Sequence, residues 1–243
     1  ITLRGWWLPT SDPIATMVWS DGLDKNRAER LPMIREFVDF GFSVLVYDFR
    51  GHGESDYVAL GAGYHEVNDL HGAIDFVLDS KGAEPGKLVL MGQSFGAAVT
   101  LMAGVGEPAV VGVFADSSFA SLEDVMIGEI ERRTPFPSWV AEALRPGIIA
   151  MGSARGIDIP AVSPEVFASQ YTLPIALAHC QADERLPAEH TIRIRSVAPG
   201  AVWMNLYPRC EHAGAYDDFT EQFFGVATNY FLERLGLLPP EVF

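Results

Sequence analysis

The stretch from Leu88 to Ala98, Leu-Val-Leu-Met-Gly-Gln-Ser-Phe-Gly-Ala-Ala, constrains this chain most. An apolar run of strand type ends in Gly-Gln-Ser-Phe-Gly and passes at once into small helix formers. It is a Gly-x-Ser-x-Gly pattern between a strand and a helix, the context in which that pattern carries meaning. A turn this sharp holds its serine in a strained backbone conformation. Gly92 and Gly96 lack a Cβ, so strand and helix can close around Ser94, whose hydroxyl then stands clear at the C-terminal edge of a sheet. The helix that begins there offers free N–H groups and a positive dipole end to an oxyanion. The competing reading is a Gly-rich turn that happens to contain a serine. The buried strand before it and the Ala-rich helix after it weigh against that.

On either side of this turn, strand and helix patterns alternate. Strands are expected over Thr2–Pro9, Ala15–Trp19, Ser43–Phe49, Lys87–Gly92, Val110–Ala115, Pro174–Cys180 and Ala201–Tyr207. Helices are expected over Arg27–Phe40, Glu66–Ser80, Phe95–Val105, Pro187–Val197 and Phe219–Leu235. In the first of these Leu31, Ile34, Phe37 and Val38 recur at three- and four-residue spacing. Such alternation implies an α/β fold with a mainly parallel sheet covered by helices on both faces. The first strand begins abruptly, which points to a further strand upstream. Residues 119–172 break the rhythm and hold five prolines, which are expected to stiffen the segment. The expected organisation is one domain over 1–243 with an insertion at about 119–172.

Composition narrows the function. With 243 residues, 49% hydrophobic and 20% charged, the chain can bury a full core. A formal net charge of −15 argues against nucleic acid and anionic membranes as partners, and disfavours strongly anionic substrates. No apolar run approaches the roughly 20 residues of a membrane helix. No signal peptide is visible, and Ile1 at the start leaves the compartment open: cytoplasmic, or secreted or anchored through an upstream segment. Oligomeric state is not readable.

A serine hydroxyl needs an adjacent base, and the base needs an orienting group. When the serine sits on a strand–turn–helix elbow, the partners follow it as acid and then histidine, on loops at strand ends. Asp183 lies just beyond the strand ending at Cys180, and His212 just beyond the last strand. Glu184 and Asp116 compete for the acid's role. Among the six histidines, His52, His65 and His71 precede the serine. His179 ends a strand and reads as structural, and His190 on a helix reads as solvated. The tetrahedral oxyanion needs two backbone donors. These are expected at Phe95 and at Leu23, in the loop after the second strand; for Leu23 the alternative is a plain core-packing residue. His65-Glu66 with His71 has the wrong spacing for zinc, and Gly51-x-Gly53 is too short for a dinucleotide. No metal and no cofactor are inferred.

With these residues assembled, the chain resembles the α/β-hydrolase superfamily, within it the serine-aminopeptidase-like and lysophospholipase-like branch with a modest lid. Leu3–Pro9 resembles the first strand of that family, Asp48-Phe49-Arg50-Gly51-His52-Gly53-Glu54-Ser55 its structural Gly-rich turn, and Asp116-Ser117-Ser118-Phe119 the segment entering the lid. His179–Asp183 with Pro187 resembles the acid loop, and His212 the histidine loop. Two places depart: Asp21-Gly22 stands where the oxyanion loop usually reads His-Gly, and His179-Cys180 where the acid loop usually reads His-Gly. The resemblance implies hydrolysis, and members of the superfamily cleave esters, thioesters, amides and other bonds.

The expectation is a serine hydrolase acting on a small-molecule carboxylic ester through an acyl-enzyme. The alternatives are a peptidase, amidase or thioesterase of the same fold and, from another class, a non-catalytic binding protein. Short helices near Leu122–Arg132 and Ser138–Leu144 are expected to roof an apolar acyl pocket, with Phe136 and Trp139 as substrate-binding residues. The alternative is a packed excursion that never meets substrate. Cys180 and Cys210 close strands expected to be neighbours. They are read either as a disulfide tying the acid and histidine loops or as two buried thiols.

Overall fold

The computed structural model describes residues 1–135, 137–200 and 202–239. Seven strands, β1 (Arg4–Leu8), β2 (Ala15–Ser20), β3 (Phe42–Asp48), β4 (Leu88–Gln93), β5 (Val110–Asp116), β6 (Ile175–Cys180) and β7 (Val202–Tyr207), form one sheet in the order β1-β3-β2-β4-β5-β6-β7. β1 runs antiparallel to β3, and the other neighbours are parallel. The helices are α1 (Leu31–Phe40), α2 (Glu66–Lys81), α3 (Phe95–Ala103), α4 (Leu122–Arg133), α5 (Ser138–Ala143), α6 (Arg145–Ser153), α7 (Pro164–Ala168), α8 (Glu189–Val197), α9 (Ala215–Asp218) and α10 (Thr220–Arg234).

The inner strands β2 to β6 are buried on both faces along almost their whole length, because successive side chains feed two cores. Leu88 and Leu90 of β4 join the core under α2 and α3, while Val89 and Met91 join the core under α1 and α10. The chain moves from β2 outward to β3 and then crosses back to β4, so right-handed crossovers place α1 on one face and α2 and α3 on the other. This reversal opens a crevice beyond the carboxyl ends of β2 and β4, the usual ligand position in open α/β sheets.

Some expectations need correction. The first helix begins at Leu31 rather than Arg27. The Arg27 N–H donates to Asp48 Oδ1 at 2.7 Å and its guanidinium pairs with Asp48 and Glu54, which holds this stretch in a loop until Pro32 fits the first helical turn. In residues 119–172 the expected helices appear as α4 and α5, but α6 and α7 were not foreseen. Pro146 and Pro164 sit in the first turns of α6 and α7, so two prolines read as stiffeners are helix starts. The α7 end of the segment is core: Ala168 and Tyr171 are buried, and the Tyr171 hydroxyl donates to the Leu101 carbonyl at 2.8 Å. Among the described residues no helix is long and apolar enough to cross a membrane.

Candidate active site

Ser94 sits between β4 and α3 at φ 55°, ψ −118°, in the positive-φ region that L-residues avoid. Both flanking glycines are demanded by packing. A Cβ on Gly92 would lie 2.5 Å from the Gly96 carbonyl oxygen, and one on Gly96 would lie 2.2 Å from that of Ser20. The elbow is pinned from β5, where the Asp116 carbonyl accepts the Ser94 N–H at 2.7 Å.

Ser94 Oγ lies 2.7 Å from His212 Nε2, and His212 Nδ1 lies 2.6 Å from Asp183 Oδ2. These three residues come from loops after β4, β7 and β6, so parallel neighbours deliver them to one edge. Asp183 is buried, and its other oxygen accepts the N–H groups of Arg185 at 2.9 Å and Leu186 at 2.8 Å. Burial alone would push its carboxyl up. Hydrogen bonds from His179 and His212, the charge of His212 and the Leu186 N–H outweigh that and hold it well below the usual carboxylate range. An ionised Asp183 therefore faces His212 Nδ1, fixing the proton there and leaving Nε2 to accept from the serine hydroxyl.

The competitors for the acid's place lie elsewhere. Asp116 is fully buried and accepts from Gln93 Nε2 at 3.0 Å and Ser117 Oγ at 2.9 Å; burial raises its carboxyl, and His212 does not bond to it. Glu184 is exposed. His179 is structural as read: buried, its Nε2 donates to the Leu186 carbonyl at 2.7 Å, and Nδ1 meets Thr191 Oγ1 at 2.7 Å. His190 is not solvated as read. It is half-buried, its Nδ1 accepts the Ala120 N–H at 3.3 Å, and burial lowers its basicity.

Phe95 is the first residue of α3, so its N–H has no acceptor four residues back in the helix. The loop carrying Leu23 lies against Ser94: a Cβ on Gly22 would sit 3.6 Å from the Ser94 Cβ. His52 shapes this loop. Its Nδ1 donates to the Arg50 carbonyl at 3.0 Å, which leaves Nε2 to accept the Asp24 N–H at 3.0 Å. Asp21, where the resembled family has histidine, accepts its neighbour Gly22's N–H at 2.7 Å and is pushed up by burial.

A cavity of about 310 Å³ opens beside Ser94, lined by Leu23, Leu60, Phe95, Phe119, Leu122, Val125 and Leu186 among others. Of the two helices expected over the pocket, α4 contributes Leu122 and Val125 to this lining. Trp139 is 73% exposed and does not line this cavity, and Phe136 lies outside the described residues. A second cavity, about 430 Å³, is lined by His212 together with Arg132, Arg185 and Arg209, Glu184 and Glu211, a local basic character that net charge did not reveal. A further cavity, about 720 Å³ between β1 and α2, holds none of these groups. Cys180 and Cys210 form a disulfide with Cα atoms 5.2 Å apart, tying the end of β6 to the loop that carries His212.

The sequence reading missed Gln93 and Arg30. Gln93 Nε2 donates to the carbonyl of Ala213, next to His212, at 2.9 Å, and Arg30 Nη2 donates to the same oxygen at 3.0 Å. Gln93 could have been suspected from its place beside the serine; Arg30 carries no local signal.

The fold and the sequence match those of known proteins. The chain is 29% identical over 223 residues to the uncharacterized protein YfhR of Escherichia coli K12, covering 89% of this chain and 71% of that protein. Esterase Pf2001 of Pyrococcus furiosus superposes with a TM-score of 0.74 at 20% identity, covering 96% of this chain and 87% of that one. The alpha/beta hydrolase GrgF of Penicillium sp. superposes with a TM-score of 0.71 at 17% identity over 96% of this chain and 94% of that one. A sequence profile of the Alpha/beta hydrolase family matches residues 5–230, nearly the full length, and the chain belongs to that family.

Proposed function

We propose that this hydrolase cleaves carboxylic esters through an acyl-enzyme. The observation that carries the reading is the unbroken line Asp183–His212–Ser94, at 2.6 and 2.7 Å, opening on an apolar cavity. Ser94 Oγ attacks the ester carbonyl as His212 Nε2 takes its proton. The imidazolium is stabilised by Asp183 and then protonates the leaving oxygen. Water, deprotonated by the same histidine, attacks the acyl-enzyme and frees Ser94. The N–H groups of Phe95 and Leu23 receive the oxyanion.

The apolar cavity takes the acyl half. His212 must reach the leaving oxygen, so the leaving alcohol departs on its side, toward the cavity with the arginines and glutamates. An ester is favoured over an amide because its leaving oxygen needs less protonation than an amide nitrogen, which must be protonated before the C–N bond breaks. The name of esterase Pf2001, a neighbour in fold, agrees with this reading. The chain acts as one domain, and α4 within the 119–172 insertion bounds the acyl site.

A series of p-nitrophenyl esters of increasing acyl length tests the proposal. Turnover that peaks at short or medium chains, and falls once the chain outgrows the cavity, supports it. No turnover of any ester by folded protein, with cleavage of amide or thioester analogues instead, would move the assignment to another member reaction of the family.

A further inference from the structure

His212 stands in a short loop, and its alignment to Ser94 is only as good as the hold on that loop. The disulfide at Cys210 fixes the near side. On the far side the backbone turns through Ala213 at φ 58°, a left-handed conformation costly for alanine, so something must hold it. Two donors converge on the Ala213 carbonyl: Gln93 Nε2 at 2.9 Å and Arg30 Nη2 at 3.0 Å. They are also joined to each other, since Arg30 Nε donates to Gln93 Oε1 at 2.9 Å.

That bond fixes which end of the Gln93 amide points where. Its oxygen is taken by Arg30, and its two N–H groups go to Ala213 and to Asp116 Oδ2 at 3.0 Å. Arg30 Nη1 donates to both carboxylate oxygens of Asp217, at 2.9 and 2.8 Å, on α9 just after the loop. One guanidinium thus grips the loop's carbonyl, the helix that follows it and the residue that precedes the nucleophile. A lysine at this position has one donor head and cannot reach all three.

We propose that Arg30 is a positioning residue that, with Gln93, clamps the His212 loop and keeps Nε2 aligned with Ser94 Oγ. It touches neither substrate nor the reacting atoms, and its role rests on the serine-hydrolase reading above.

The test measures kcat and KM for a p-nitrophenyl ester, with thermal unfolding, in wild type, R30A, R30K, D217A and R35A. Arg35 pairs with Asp39 on the solvent side of α1, the helix that begins just after Arg30, and serves as the control. Small misalignments of catalytic groups are costly, so R30A should lower kcat roughly 10- to 100-fold, with KM within about twofold. R30K should stay impaired. D217A, which removes only a partly exposed anchor, should lower kcat about two- to fivefold, and R35A should match wild type. In the R30A background, D217A should add no further loss. Wild-type kcat in folded R30A overturns the clamp, as does a loss confined to KM or to melting temperature. If R30A does not fold, D217A decides: reduced kcat at unchanged KM supports the clamp, and unchanged kcat refutes it. A wild type that cleaves no ester refutes the ester-hydrolase reading, and with it the clamp that rests on it.

Discussion

Replacing Asp183 with asparagine probes the relay at its most constrained point. Asp183 Oδ2 accepts from His212 Nδ1 at 2.6 Å, while Oδ1 accepts the N–H groups of Arg185 and Leu186. An asparagine can be seated in two ways. With its NH2 toward His212, the amide donates to Nδ1, the ring proton moves to Nε2, and the imidazole can no longer take the proton of Ser94. With the amide flipped, His212 keeps its tautomer, but the NH2 faces two backbone donors in a buried site, and the oxygen facing the imidazolium carries no full charge. Both orientations damage the relay. The wrong-tautomer arrangement typically costs about 10⁴ in kcat, roughly 5.5 kcal/mol of transition-state stabilisation at 1.36 kcal/mol per factor of ten. Asp116→Asn, which does not touch His212, should cost less than about tenfold, since a single altered hydrogen bond is worth roughly 1 kcal/mol. The assay is steady-state ester hydrolysis on both variants, with circular dichroism to confirm that each is folded. An Asp183→Asn enzyme within tenfold of wild type would refute the reasoning, as would Asp116→Asn proving the more damaging change.

Asp183 also links stability to pH. Its folded carboxyl lies well below the ordinary value, so its contribution is full above about pH 4 and is lost progressively as pH falls below that toward the depressed folded value. The melting-temperature advantage of wild type over Asp183→Asn should shrink between neutral pH and about pH 3; a constant gap would contradict this. Thiol titration of the denatured, unreduced protein should find no free thiols, and two would refute the Cys180–Cys210 bridge. Val125→Trp, on the α4 wall, should shift ester preference toward shorter acyl chains, whereas Trp139→Ala should leave the profile unchanged, since that ring is exposed and outside the cavity. The opposite pattern would relocate the acyl site.

What was legible in the sequence followed from local physics. Strands such as 88–93 announce themselves by an unbroken apolar run, here Leu88 to Met91, because both faces are buried. Gly92 and Gly96 were readable because a Cβ at either place strikes backbone. Asp183 and His212 were found by chain order and by position after strands, and the structure brings both to Ser94. What escaped is nonlocal. Arg30 meets Ala213 across 183 residues, and no periodicity encodes that. Trp139 looked like a pocket residue because apolar character says nothing of which way a side chain turns. A net charge of −15 describes the whole surface, and arginines 132, 185 and 209 still gather beside His212. The prolines of the insertion were counted as stiffeners, although a proline at the first turn begins a helix as readily as another ends one.

The central claim is that Ser94 is a nucleophile activated by His212. A fluorophosphonate reacts with a serine so activated and forms a stable bond to its oxygen. Labelling followed by peptide mass mapping should place one adduct on the peptide that contains Ser94. The label should disappear in Ser94→Ala and form far more slowly in His212→Ala. Folded wild-type protein that takes no label, or takes it on another residue while Ser94 remains free, would contradict the account.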